Sequence, residues 1–194
     1  MPVLEMREAT FRRADSTLFA PLTMTIDYGA CAELTCDTTI SAGIAARLAA
    51  GIMKCTEGNV FVADFDPKIQ PVQVKALVGF LPSERPRNPL PAEEYFAYRA
   101  ALWGLEKTAS MQKGRTLLAM LDGLEPGEAA LLAGIFLHGP RLLVLERPRD
   151  GVRDAAEALK AVTPPSALFI TYGPSDRAAF DIRAQSPTLG TAPS

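Results

Sequence analysis

Two stretches of this 194-residue chain carry side chains of types and spacing that could do chemistry. The first is Cys36-Asp37-Thr38-Thr39-Ile40-Ser41-Ala42-Gly43-Ile44, where three hydroxyls precede a run of strong helix formers. Hydroxyls and free N–H groups at a helix N-terminus can hold an anion, helped by the helix macrodipole. The same residues serve equally as caps for a helix beginning near Ala42, and this simpler role is the expected one. Nothing in the loop is cationic, and Asp37 places a negative charge where an anion would sit. The second stretch is Glu146-Arg147, which closes the apolar run Leu142-Leu143-Val144-Leu145. Glu146 supplies a carboxylate, whereas Arg147 cannot accept a proton at any relevant pH. A guanidinium beside a buried strand is costly unless paired, so Arg147 is expected to meet Glu146 or Asp37.

The remaining reactive types offer less. Cys31, Cys36 and Cys55 contain no C-x-x-C pair, and the sole histidine, His138, has no spaced partner for a metal site. Cys36 sits where a helix N-terminus could activate a thiol, but no base is placed beside it, and an inert cysteine is expected. His138 precedes Gly139-Pro140 at the end of an apolar helix, where capping of the last carbonyls is its expected role.

Lys plus Arg number 20 and Asp plus Glu 22, so no charge excess points to nucleic acid, which is not an expected partner. No uncharged apolar run approaches the roughly 18 residues of a membrane span, and the N-terminus lacks a basic segment followed by an apolar signal core. The length suits one domain with one well-buried core.

The elements that must position these side chains follow from periodicity and breakers. Strands are expected over Leu4 to Thr10, Leu22 to Ile26 and Cys31 to Leu34, followed by a helix over Ile44 to Ala50 that stops at Gly51. A strand near Val60 to Val62, a helix near Val72 to Ala76 and a strand ending at Pro82 come next. The segment from Ser83 to Pro91 holds three prolines and should be irregular, ahead of helices over Ala92 to Leu102, Thr108 to Met120 and Glu128 to Leu137. Arg141 to Leu145 and Ala167 to Thr171 read as central parallel strands flanking a helix over Asp154 to Val162. The tail 185–194 has too little apolar content to pack and is expected to be disordered.

This order of elements, with Glu57-Gly58-Asn59-Val60 after the first helix, Gly79-Phe80-Leu81-Pro82 before the helical insertion and His138-Gly139-Pro140-Arg141 before the Glu146 strand, resembles the ATP-binding cassette of transporters. The resemblance implies an α/β, P-loop NTPase-like core with a mixed sheet flanked by helices over 1–184, and a reduced helical subdomain over about 84–138.

It also implies where nucleotide would be handled, and those positions have changed. Within G-x-x-x-x-G-K-[ST], the glycines fall on Cys36 and Ser41, with Thr39 between them. The lysine falls on Ala42 and the Mg²⁺-binding hydroxyl on Gly43. The Walker B aspartate and catalytic glutamate fall on Glu146 and Arg147, the Q-loop glutamine on Ser83, the switch histidine on Tyr172 and the base-stacking aromatic on Arg13. Phe11 is close enough to substitute for the last of these. The signature motif falls near Asp122-Gly123-Leu124-Glu125-Pro126, whose carboxylates would repel phosphate.

The resemblance therefore implies a catalytically inactive cassette-like subunit without ATP or Mg²⁺ as cofactor. Such a subunit would act as a regulatory or scaffolding partner in a membrane-associated, transport-type complex. Its partners would be an integral membrane subunit, a second cassette subunit, or both, in a homo- or heterodimer at the cytoplasmic face. The alternative it leaves open is a weak nucleotide-binding subunit that completes a composite site with a competent cassette. Tyr95, Tyr98 and Trp103, beside the Q-loop position where a membrane subunit docks in that family, are the expected partner surface. Their helical spacing also predicts that Phe96 and a neighbour pack inside.

Overall fold

The computed structural model describes residues 2–84, 90–163 and 166–174. Pro86, Pro89 and the tail expected to be disordered lie outside these residues.

The chain opens with two long strands, β1 (Pro2–Arg13) and β2 (Ser16–Asp27), paired antiparallel through a tight turn at Ala14-Asp15. Both run further than alternation alone predicts. β3 (Cys31–Thr35) then leads into helix α1 (Thr39–Ala49), and β4 (Glu57–Val62) returns to pair with β1. After α2 (Pro71–Leu77) and β5 (Val78–Leu81) come three helices, α3 (Ala92–Leu102), α4 (Lys107–Leu118) and α5 (Pro126–Ile135). The chain re-enters the core with β6 (Leu142–Glu146), α6 (Val152–Val162) and β7 (Ala167–Tyr172).

Parallel and antiparallel strands occupy two sheets. One is antiparallel in the order β2-β1-β4, and the other is parallel in the order β3-β7-β6-β5. α1 lies between them. A helix flanked by two sheets must be apolar nearly all round and narrow enough for both to approach, which Ala42, Gly43, Ala45, Ala46 and Ala49 provide. Its first turn is closed by Thr38, whose hydroxyl accepts from the Ser41 N–H at 3.0 Å, so the helix starts at Thr39 rather than near Ala42.

Strand parity assigns every residue of the central strands to one of two cores. Leu142 and Val144 of β6, with Ala167 and Phe169 of β7, pack toward α1 and the antiparallel sheet. Leu143 and Leu145, with Leu168, Ile170 and Tyr172, pack on the other side with α5, α6 and the helical insertion. The same parity turns Glu146 toward α1 and Tyr172 away from it. Within the insertion, the Phe96 ring is wedged against Gly114, where any β-carbon would collide with it, which joins α3 to α4.

The antiparallel sheet has its own fixed point. A bulge interrupts the β1–β4 register between Arg7 and Thr10, with Glu8 at φ +49°. Opposite it, Gly58 adopts φ +73°, and a β-carbon there would run into the Arg7 and Glu8 backbone carbonyls. Gly58→Ala is therefore expected to destabilise the protein by about 2–4 kcal/mol in urea unfolding, since it combines left-handed strain with a backbone clash. A loss below about 0.5 kcal/mol would show that the bulge relaxes freely.

Candidate functional site

In sheets with parallel strands, ligands sit beyond the carboxyl ends, where loops diverge. Here that edge gathers Cys36-Asp37-Thr38 after β3, Ser83 after β5, Glu146-Arg147 at the end of β6 and Tyr172 at the end of β7. These positions thus converge on one edge, although their side chains do not form one cluster.

Glu146 is the centre of what does converge. It is 3% exposed, and its Oε1 accepts hydrogen bonds from Arg47 Nη2 at 3.1 Å and from Ser83 Oγ at 3.3 Å. Arg47 lies one helical turn beyond Gly43, on the α1 face that meets the end of β6, and its side chain remains 39% exposed. The second carboxylate oxygen, Oε2, is buried without a hydrogen-bond partner among the described residues, as is the hydroxyl of Thr171, the β7 residue paired with Glu146.

Gly43 completes the arrangement. A β-carbon at position 43 would lie 2.8 Å from Glu146 Oε1, so a side chain there requires the carboxylate to shift. The carboxylate therefore occupies the space that a Ser or Thr at that position would need. The partner of Glu146 is Arg47 from α1, which corrects the expectation that Arg147 would take that role. Arg147 turns into a different space, with φ +46° and its backbone N–H donating to Thr171 O at 2.9 Å. There it lines a cleft with Ser83, Glu84, Glu128, Arg149 and Asp150.

The loop before α1 is spoken for. Thr38 and Ser41 hydrogen-bond through their hydroxyls as well as through the cap, while Thr39 and Asp37 are exposed and Ala42 is fully buried. Cys36 is buried with its thiol pushed up to about 11, first by desolvation and then by Asp37, so it is no thiolate nucleophile. Cys31 is pushed up to about 12 by burial and then by Glu157. Arg13 is exposed beside the β1–β2 turn, and Phe11 packs against the core. The Tyr172 side chain joins the α6-side core. Glu125 caps α5, accepting from the Glu128 N–H at 3.0 Å. No group of three metal-ligating side chains occurs among the described residues.

The aromatic group divides. Tyr98 is 55% exposed and lies one turn from Leu102, itself 56% exposed. Tyr95 packs over Gly134 and Trp103 stacks on His138 with ring centroids 4.4 Å apart, so both are half-buried in internal contacts. Of the expected three-residue surface, Tyr98 is the one fully presented to solvent, with Leu102 beside it.

His138 does not cap its own helix. Its Nε2 lies 3.2 Å from Val78 O in β5, and because a carbonyl can only accept, that nitrogen carries the proton. The last carbonyls of the α5 segment, Phe136 O and Leu137 O, are bonded instead by Lys113 Nζ at 3.0 and 3.1 Å.

The fold has solved counterparts. An ATP-binding subunit of an ABC transporter superposes over 88% of this chain and 79% of its own, with TM-score 0.69 and 16% identity. The cbiO1 protein of Clostridium perfringens, part of the ABC transporter complex cbiONQ, does so over 88% and 78%, with TM-score 0.71 and 13% identity. A putative ABC transporter ATP-binding protein from Pyrococcus furiosus covers 88% of this chain and 90% of its own, with TM-score 0.67 and 20% identity.

The fold is that of an ATP-binding cassette.

No protein-family model matches the chain, and no curated protein matches it in sequence. The likeness is thus one of cassette architecture: α/β, P-loop NTPase-like, with helices packed on the sheet and a helical insertion between β5 and β6. Against this frame, Arg47 is the site residue that sequence reasoning missed. Its spacing of four from Gly43 was the available signal, since it places both on one face of α1.

Two measurements follow. Gly43→Ser should destabilise the protein by about 1–3 kcal/mol, and Glu146→Asp in the same molecule should recover part of that loss by withdrawing the carboxylate. A double-mutant cycle without coupling would show that the two residues do not press on each other. The second concerns acid. Burial, then the Arg99 cation, pushes His138 down to about 4, against 6.5 for a free histidine. The unfolded chain therefore binds the extra proton between those values. The His138 contribution is complete above about pH 6.5 and is lost as pH falls toward 4. Unfolding midpoints across that window should fall with acid, and His138→Gln should flatten the fall while keeping a donor for Val78.

Proposed function

We propose that this chain is a catalytically inactive, cassette-type subunit that acts through contact, as a regulatory or scaffolding component of a membrane-associated, transport-type complex. The observation that carries the inactivity is the Gly43–Glu146–Arg47 contact. An ATP-binding cassette needs a cation-holding hydroxyl at position 43 and a carboxylate free to orient the metal. Here position 43 has no hydroxyl, a β-carbon there would press on the Glu146 carboxylate, and that carboxylate is engaged by a guanidinium and Ser83. The residues present do not fit Mg·ATP, and no catalytic step is assigned through it. Arg147 at the base position and Ala42 at the lysine position support the same reading.

The transport context rests on the fold. The cbiO1 protein is part of a transporter complex, and another structure of this architecture, the cassette MJ0796, is dimeric with ADP and Pi bound. No helix among the described residues is long and apolar enough to cross a membrane. Association at the cytoplasmic face would therefore use an integral membrane subunit, a second cassette, or both. Tyr98 and Leu102 are the proposed contact residues on α3, because both present apolar side chains to solvent.

Calorimetry of the isolated protein with Mg·ATP should give no heat of binding at about millimolar nucleotide. Ala42→Lys and Arg147→Glu should not restore hydrolysis, because catalytic groups acting as a unit are strongly non-additive. Micromolar binding, or turnover that depends on Glu146, would overturn the reading. Tight ATP binding that emerges only on mixing with a competent cassette would favour a composite site instead. Tyr98→Glu with Leu102→Glu should abolish partner capture at unchanged unfolding midpoint.

A further inference from the structure

Helix α3 carries two neighbouring stripes, each of two residues one turn apart. Tyr98 and Leu102 form the exposed stripe, while Arg99 and Trp103 form the half-buried one beside it. The second stripe is built into a stack. The Arg99 guanidinium lies over the Trp103 ring, 5.9 Å from its centroid, and that ring lies on His138 at 4.4 Å. His138 is in turn tied to β5 through Val78 O. Strand, imidazole and indole thereby hold a long cation in place, so less rotamer freedom is left to lose when a ligand arrives.

What the stack lacks is an anion. Among the described residues Arg99 makes no ion pair, and its Nε is buried without a hydrogen-bond partner. The carboxylates of α3 and of the α3–α4 turn are committed or turned away. Glu93 pairs with Arg115, Glu106 accepts from the Thr108 and Ala109 N–H groups, and Glu94 stands five positions back on another face of α3. The pKa of His138 is held down first by burial, then by Arg99 and, more weakly, by Lys113, so the cation next to this ring is itself a second positive charge. Lys113 is occupied by Phe136 O and Leu137 O, which leaves Arg99 as the cation of the stack open to a partner. Its Nη end is not buried, and a carboxylate could meet both Nη groups there in a directional, charge-assisted pair.

An anionic lipid surface is a poorer match, because holding a protein to it takes a cluster of Lys and Arg, and α3 opens with Glu93 and Glu94. We propose that α3 docks an acidic amphipathic segment of a partner protein, with its apolar side chains over Tyr98 and Leu102 and a carboxylate on the Nη edge of Arg99. The proposal rests on the contact reading of α3 given above and adds the chemistry of the partner to it.

The test uses the full-length chain and its sole tryptophan, Trp103, whose emission reports on the stack. A displayed library of amphipathic helical peptides with randomised polar positions is selected on the protein. Enriched peptides should carry Glu or Asp beside their apolar face and shift Trp103 emission. Replacing that acid by its amide, or Arg99→Gln in the protein, should each weaken binding about tenfold or more. Arg99→Glu should invert the preference, so that the Lys form of the peptide binds better than the Glu form, which a misfolded variant would not do. Neutral binders that still require Tyr98 and Leu102 would overturn the acidic specificity and leave the contact surface standing. Binding indifferent to Tyr98→Glu with Leu102→Glu, or no binder at all, would overturn both. A Trp103 shift with phosphatidylserine vesicles stronger than with any peptide would assign the face to lipid and overturn the proposal as well.

Discussion

The closeness of α1 to the end of β6 is the constraint on which the sheet edge depends. α1 is held between two sheets, and at Gly43 the helix backbone comes close enough to the Glu146 carboxylate that a β-carbon would press on it. Because position 43 has no side chain, the longer arm of a glutamate can reach under the helix, and Arg47 on the next turn closes over it. Each residue makes sense only with the other two. A β-carbon at 43 would displace the carboxylate, and loss of Arg47 would leave a buried anion with Ser83 as its remaining donor.

Much of the fold was legible because local signals agree with the tertiary result. The near-continuous apolar runs Leu142–Leu145 and Ala167–Ile170 could only be central strands covered on both faces, and they are the two inner strands of the parallel sheet. Alanine-rich α1 was readable as a helix from propensity. Its first turn was not, because Thr39, Ile40 and Ser41 are poor helix formers whose placement depends on the Thr38 cap. The lengths of β1 and β2 escaped for another reason. Half-exposed strands with a bulge at Glu8 break the strict alternation on which the reading relied.

The site was legible by position and less so by contact. The resemblance to the cassette assigned Cys36, Ser83, Glu146 and Tyr172 to nucleotide positions, and the fold sets them along one sheet edge. The identity of each partner required distances that sequence does not contain. Arg47 was hidden inside a helical run where a lone cation reads as a solvated face, and His138 was assigned to the helix it follows when its proton goes to the neighbouring strand. Trp103 was assigned to a partner surface by the family's docking position beside the Q-loop; the stack on His138 brings it partly inward.

The polarity of this edge is itself informative. Replacing a buried ion pair with well-packed apolar residues is often neutral or stabilising, so Glu146–Arg47 is a poor device for stability alone. The buried Oε2 of Glu146 and the Thr171 hydroxyl add further polar groups without hydrogen-bond partners among the described residues. A chain that needed only a scaffold could have closed the carboxyl end of β6 with leucine and valine, as the preceding four residues do. It instead keeps a carboxylate, a hydroxyl and a strained arginine beside a charged cleft. Local sacrifice of stability next to a concave polar surface is the pattern of a binding edge, and it sits here on a cassette architecture.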